Sequence, residues 1–82
     1  MDRAVRLRDL ANLGPVTERQ LGELGIDTPA QLADLGAIEA WHRLRAAFPT
    51  VNRICLYALE GALRDIDWRD LPPQVLSELK RV

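Results

Sequence analysis

The stretch Val51-Asn52-Arg53-Ile54-Cys55-Leu56-Tyr57-Ala58-Leu59-Glu60-Gly61-Ala62-Leu63-Arg64-Asp65-Ile66 decides the fold class. Val51, Cys55, Ala58, Leu59, Ala62 and Ile66 recur at helical spacing and share one face of an α-helix. Ile54 and Leu63 flank that face. A helix this apolar needs neighbours on several sides, so it is read as the central one. Thr50, after the helix-stopping Pro49, is expected to cap it.

Working outward, the same period recurs. Upstream, Ile38, Trp41, Leu44 and Phe48 predict a helix that Pro49 ends. Before it, Thr28-Pro29-Ala30-Gln31 is a helix start: Thr28 caps, Pro29 fits the first turn, and Gln31 closes a capping box. That short helix reaches Gly36. Pro15 opens another, with Val16, Leu21 and Leu24 inward and Gly25 as a left-handed cap. Val5, Leu7 and Leu10 suggest a short first helix. Downstream, Asp67 caps a turn through Trp68 and Leu71, and Pro72-Pro73 opens a last helix with Val75, Leu76 and Leu79 inward. No stretch alternates usefully in the strand pattern. The expectation is an all-α single domain over residues 1–82, a compact bundle of five or six short helices.

The composition agrees. Hydrophobic residues are 48% and charged residues 28% of the 82, as in globular domains, and aromatics are only 5%. Eleven basic against twelve acidic residues leave a formal net charge of −1. That balance argues against strong non-specific binding of nucleic acid, which runs on phosphate neutralisation. Cys55 is the only cysteine, so a reducing compartment is expected. No apolar run approaches the ~20 residues of a membrane span, and no signal-peptide core follows Met1. The expected location is the cytoplasm, with no membrane association.

The segment from Leu10 to Ile26 has the form of a helix-hairpin-helix. An apolar residue precedes the tight Asn12-Leu13-Gly14 turn, and a helix ending in Gly25-Ile26 follows. Such a hairpin points backbone N–H groups outward, where they and the helix dipole can hold a phosphate oxygen. Its usual form is Gly-apolar-Gly. Here Asn12 replaces the first glycine, tolerates the left-handed conformation, and places a side chain where a DNA backbone would approach. If DNA is bound, Leu13, Gly14, Val16 and Thr17 present the backbone groups, with Asn12 at the turn and Arg19 and Arg8 supplying charge. The favoured reading is that this hairpin and its echo further on are structural corners that pack helices at a steep angle, because charge rather than shape decides nucleic-acid affinity. Leu35-Gly36-Ala37 is a weaker echo, with Glu39 in the following first turn repelling a phosphate there.

Two separated strings carry a family resemblance. The first is Leu10-Ala11-Asn12-Leu13-Gly14-Pro15-Val16-Thr17, continuing through Leu21, Gly25-Ile26, Thr28, Leu32 and Leu35-Gly36-Ala37. The second is Leu56-Tyr57-Ala58-Leu59-Glu60-Gly61-Ala62-Leu63, then Asp67-Trp68-Arg69-Asp70-Leu71-Pro72. Together they resemble the C-terminal domain of TfoX-type competence regulators, from about Leu7 to Leu79. The resemblance implies a helix-hairpin-helix-like (SAM-like) first half, no enzymatic activity, and a role in regulating natural competence with a transcription factor. Full-length members of that family carry a further N-terminal domain, and these 82 residues are similar to the C-terminal one alone.

Individual residues add smaller expectations. Gly inside a helix costs about 1 kcal/mol relative to Ala, so Gly61 is expected to permit a close helix crossing. Glu60 is a candidate to pair with the helix start near Asn12-Leu13-Gly14, where N–H groups are free. Trp41, beside Arg43 and Arg45, is a candidate partner anchor, or else it packs at the core edge. Trp68 is read as core. Cys55 is expected to be a buried small hydrophobe, and His42 an exposed residue. One His and one Cys cannot supply a usual zinc set, and Asp65, Asp67 and Asp70 lack EF-hand spacing. No nucleophile–base–orienter set can be assembled.

The reading is therefore a non-catalytic interaction domain without cofactor or metal, binding a protein partner. The alternative is weak, sequence-independent binding of DNA phosphates through the hairpin. Self-association as a homodimer is open.

Overall fold

The computed structural model describes residues 6–82. Five α-helices follow one another: α1 (Pro15–Glu23), α2 (Pro29–Leu35), α3 (Ala37–Ala47), α4 (Arg53–Arg64) and α5 (Pro73–Lys80). Single 3₁₀ turns at Leu7–Asp9 and Trp68–Asp70 precede α1 and α5. No strand occurs among the described residues. The fold is all-α. The expected first helix is the Leu7–Asp9 turn, with Leu7 fully buried; Val5 lies outside the described residues.

Helix α4 is central, touching α2, α3, α5 and the Trp68–Asp70 turn. Leu56, Tyr57, Leu59, Gly61 and Ala62 are buried along it, while Cys55, Ala58 and Leu63 are half-buried. Leu56 and Tyr57 fall outside the stripe expected from the sequence, because α4 is wrapped on more than one side. Ile54 is half exposed. Fully buried Leu21, Leu32, Leu44, Leu56 and Leu59 come from four helices and meet in one cluster. Each contributes about 1.5–3 kcal/mol of apolar transfer free energy.

The helix boundaries follow local chemistry. At α2, the Thr28 hydroxyl accepts from the Gln31 N–H (3.1 Å), and Gln31 Oε1 accepts from the Thr28 and Asp27 N–H groups. The capping box is complete. Helix α1 ends at Gly25, φ +84°, where the Ile26 N–H reaches back to the Leu21 carbonyl (2.9 Å). Gly36 joins α2 to α3 with φ 88° and ψ 156°, backbone that essentially only glycine adopts. At α4 the cap is Asn52, not Thr50: Asn52 Oδ1 accepts from the Ile54 N–H (3.1 Å). Thr50 instead lies in the turn closed by the Val51 N–H on the Phe48 carbonyl.

Two inward assignments change. Val16 is 58% and Ile38 is 42% exposed. The inner face of α3 is the Ala37, Ala40, Trp41, Leu44 stripe, and Ile38 lies beside it. In α1, Leu21 is the buried position, with Thr17 and Leu24 on its side of the helix half-buried.

Candidate functional site

The hairpin takes the shape expected of a tight turn. Asn12 is left-handed, φ +70°, and the Leu13 N–H closes the turn on the Leu10 carbonyl (3.2 Å). Leu13 is buried, and Gly14 is extended and caps α1 without a side-chain bond. The N–H groups of Gly14, Val16 and Thr17 find no acceptor among the described residues. Of the four backbone donors proposed from the sequence, only that of Leu13 is already engaged.

The side chain of Asn12, an exposed residue, folds back onto α4 and the turn that follows it. Its Nδ2 donates to the carbonyls of Ile66 (2.8 Å) and Ala58 (3.3 Å), and its Oδ1 accepts from the Trp68 N–H (3.1 Å). It is seated against Gly61. A Cβ there would collide with the Asn12 amide and stand 2.7 Å from the Ile66 carbonyl and 3.1 Å from the Trp68 nitrogen. Gly61 thus admits a side chain and a turn, not the crossing helix expected from the sequence. Glu60 does not reach the hairpin either. It accepts from Arg64 one turn along α4 (2.6 Å), because at that position the nearest cation is its own i,i+4 neighbour.

The charges around the hairpin are partly cancelled. Arg8 is folded onto Glu18, with Nε and Nη2 each 2.8 Å from Oε1, while the Arg8 N–H donates to Oε2 (3.3 Å). These bonds hold the Glu18 carboxyl below its usual range. The carboxylate lies in the first turn of α1, where it complements the helix dipole and opposes a phosphate. Arg19 is exposed and makes no ion pair among the described residues.

Trp41 is no surface anchor. It is 1% exposed, and its indole N–H donates to the Asn52 carbonyl (3.0 Å). The reason is its place on the inward stripe of α3. The guanidinium of Arg45, one turn later, lies 4.7 Å from the ring centroid, and that of Arg53 lies 5.2 Å from it. Arg43 faces away and pairs with Glu39 (3.1 Å). His42 is exposed, with its ring 5.3 Å from Trp41. Trp68 is half-buried against Tyr57, centroids 5.6 Å apart. Cys55 is partly buried, which pushes its thiol pKa up and away from reactivity. Among the described residues no His, Cys, Asp or Glu group clusters as metal ligands do, and no helix is long and apolar enough to cross a membrane.

The arrangement has close relatives. The sequence pattern of the TfoX C-terminal domain family matches residues 3–82. Protein Sxy of Escherichia coli strain K12 is 40% identical over 74 residues, which is 90% of this chain. The chain spans only 35% of the length of Protein Sxy. An uncharacterized protein from Listeria monocytogenes, crystallised in a triclinic form, superposes with a TM-score of 0.90 at 41% identity, over 93% of this chain and 86% of that one. A protein of unknown function from Listeria monocytogenes, in a tetragonal form, gives 0.86 at 40% identity over 90% and 91%. By sequence over nearly its whole length, and by fold, the chain belongs to the TfoX C-terminal domain family.

Proposed function

We propose that the chain is a non-catalytic interaction domain that serves competence-type gene regulation by binding a protein partner. The observation that carries this reading is the neutralised hairpin. Arg8 is spent on Glu18, the Glu18 carboxylate occupies the α1 start, and the net charge is −1. Nucleic-acid affinity depends on uncompensated positive charge. Beside that pair, Val16 stands 58% exposed at the tip of α1, an apolar contact that suits a protein surface.

A second reading has its own support. The N–H groups of Gly14, Val16 and Thr17 have no acceptor among the described residues, and Arg19 makes no ion pair there, which supports a phosphate contact at this turn. Fluorescence anisotropy with a short DNA duplex, at low and then physiological salt, separates the two. The expected result is no binding at either. Binding that falls steeply with salt and disappears in Arg19→Gln would overturn the protein-partner reading in favour of phosphate contacts at the hairpin.

A further inference from the structure

We infer that the recess between the end of α3 and the start of α4 is a binding site for a phosphate-type oxyanion. Trp41, Arg45, Val51, Asn52 and Arg53 line a hollow of about 140 Å³. Its lining holds two guanidinium groups and no carboxylate. The four ion pairs among the described residues use Arg8, Arg43, Arg64 and Arg69. Arg45 therefore faces this recess without a counter-charge from those residues, while Arg53 is met on one side by the main-chain oxygen of the last residue, Val82.

Both groups are held in place. Arg45 lies over the Trp41 ring at 4.7 Å. Arg53 lies 5.2 Å from the same ring, and its Nη1 donates to the carbonyl of Leu79 (3.0 Å) and to a main-chain oxygen of the last residue, Val82 (2.8 Å). That leaves the Nε and Nη2 donors of Arg53 and the whole fork of Arg45. Preorganised donors bind more tightly because less freedom is lost on association. The N-cap Asn52 and the first residue of α4, Arg53, also line the recess, so the positive end of that helix adds to the field.

The chemistry selects the ligand class. Guanidinium forks match the paired oxygens of an oxyanion. A carboxylate has two oxygens, enough for one fork, whereas a phosphate presents three or four and can serve both. The volume is below the ~300 Å³ of ordinary small-molecule pockets, so the recess takes a phosphoryl group and leaves whatever bears it outside. This site is separate from the hairpin and does not depend on the partner reading.

The test is a titration of the chain with inorganic phosphate against chloride at matched ionic strength. The Trp41 indole N–H resonance, which belongs to the bond to Asn52, reports on the recess. A saturable shift is expected in the wild type. Arg45→Gln weakens the affinity about tenfold, Arg45→Lys weakens it less, and Arg43→Gln leaves it within about twofold. Arg45 is exposed, and an unchanged unfolding midpoint in its variants shows that the fold is intact. A drift that never saturates, or equal weakening by Arg43→Gln and Arg45→Gln, overturns the site. In the same experiment, displacement of phosphate by a short duplex assigns the phosphoryl group to a nucleic-acid backbone. Displacement by phenyl phosphate alone assigns it to a free phosphomonoester.

Discussion

Replacing Asn12 separates its two contributions to stability, the backbone conformation and the side-chain bonds. Asn12→Gly removes the bonds to Ile66, Ala58 and Trp68 but accepts φ +70° freely. Two of those bonds are short, at 2.8 and 3.1 Å, and the third is long, at 3.3 Å. A net hydrogen bond stabilises by about 0.5–1.5 kcal/mol. Asn12 is solvent-exposed, so water reaches the freed groups and the low end of that range applies to each bond, about 1–2 kcal/mol for the set. The relaxed φ offsets part of it, leaving a loss of about 1 kcal/mol for Asn12→Gly. Asn12→Ala loses the same bonds and adds a left-handed cost of about 1–2 kcal/mol, for a total of about 2–4 kcal/mol. At this chain length 1 kcal/mol moves the midpoint by about 4–8 °C, so Asn12→Ala melts roughly 8–30 °C below wild type. Asn12→Asp tolerates the conformation but turns an anionic oxygen on two carbonyls, and is expected to rank with Ala or below it. Urea unfolding followed by circular dichroism, with thermal melts beside it, measures the order. Equal losses for Gly and Ala, or a loss for Ala under about 0.5 kcal/mol, would refute the reasoning.

Three further outcomes are expected. Gly61→Ala gains about 1 kcal/mol of helix propensity but drives a methyl onto the Ile66 carbonyl at 2.7 Å; urea unfolding should show a net loss of about 1–3 kcal/mol, non-additive with Asn12→Gly. Gly36→Ala, at φ 88° and ψ 156°, loses about 1–3 kcal/mol of stability to backbone strain in the same assay, although no neighbour lies within 4 Å of the new Cβ. Asp67 is held down to about 2 by Arg69, first through their side-chain bond and then the Arg69 N–H; a depressed carboxyl pKa stabilises above the unfolded value of 3.8 and loses that contribution as pH falls toward 2. The melting-temperature gap between wild type and Asp67→Asn should therefore shrink between about pH 4 and pH 2, and a gap unchanged with pH would remove the ion pair from the account.

Most helices were legible because their signals are local. Thr28-Pro29-Ala30-Gln31 specifies its own capping box, and Gly25 and Pro73 mark an end and a start through conformations that each residue prefers. Where the reading slipped, tertiary contact decided. Thr50 and Asn52 are both good caps, and only the turn after Pro49 places Asn52 at the first free N–H groups. Val16 and Ile38 are apolar at plausible positions, yet a shift of one residue turns a helical side chain by about 100°, enough to move it from core to solvent. Trp41, beside Arg43 and Arg45 in sequence, is open to two readings, an anchor or a residue packed at the core edge; Ala37, Ala40 and Leu44 share its stripe and take it inward.

The hairpin shows why the candidate site was only half legible. Asn12 in place of a hairpin glycine reads as a structural corner or a weakened phosphate loop when the first string is considered alone. In space, the two strings that carry the family resemblance meet at this residue. The first supplies Asn12, and the second supplies what receives it: the Ala58 carbonyl, the bare surface of Gly61, the Ile66 carbonyl and the Trp68 N–H. Forty-six to fifty-six residues separate the bonded partners, a distance over which no periodicity or capping rule operates. Gly61 makes sense by the same contact, since a helix interior tolerates glycine at a cost of about 1 kcal/mol only when something must come close. The substitution that appears to spoil a nucleic-acid motif is thus the bolt between the two halves of the domain, which leaves the open N–H groups of α1 as the hairpin's remaining outward chemistry and Arg19 as the residue whose replacement decides whether they are used.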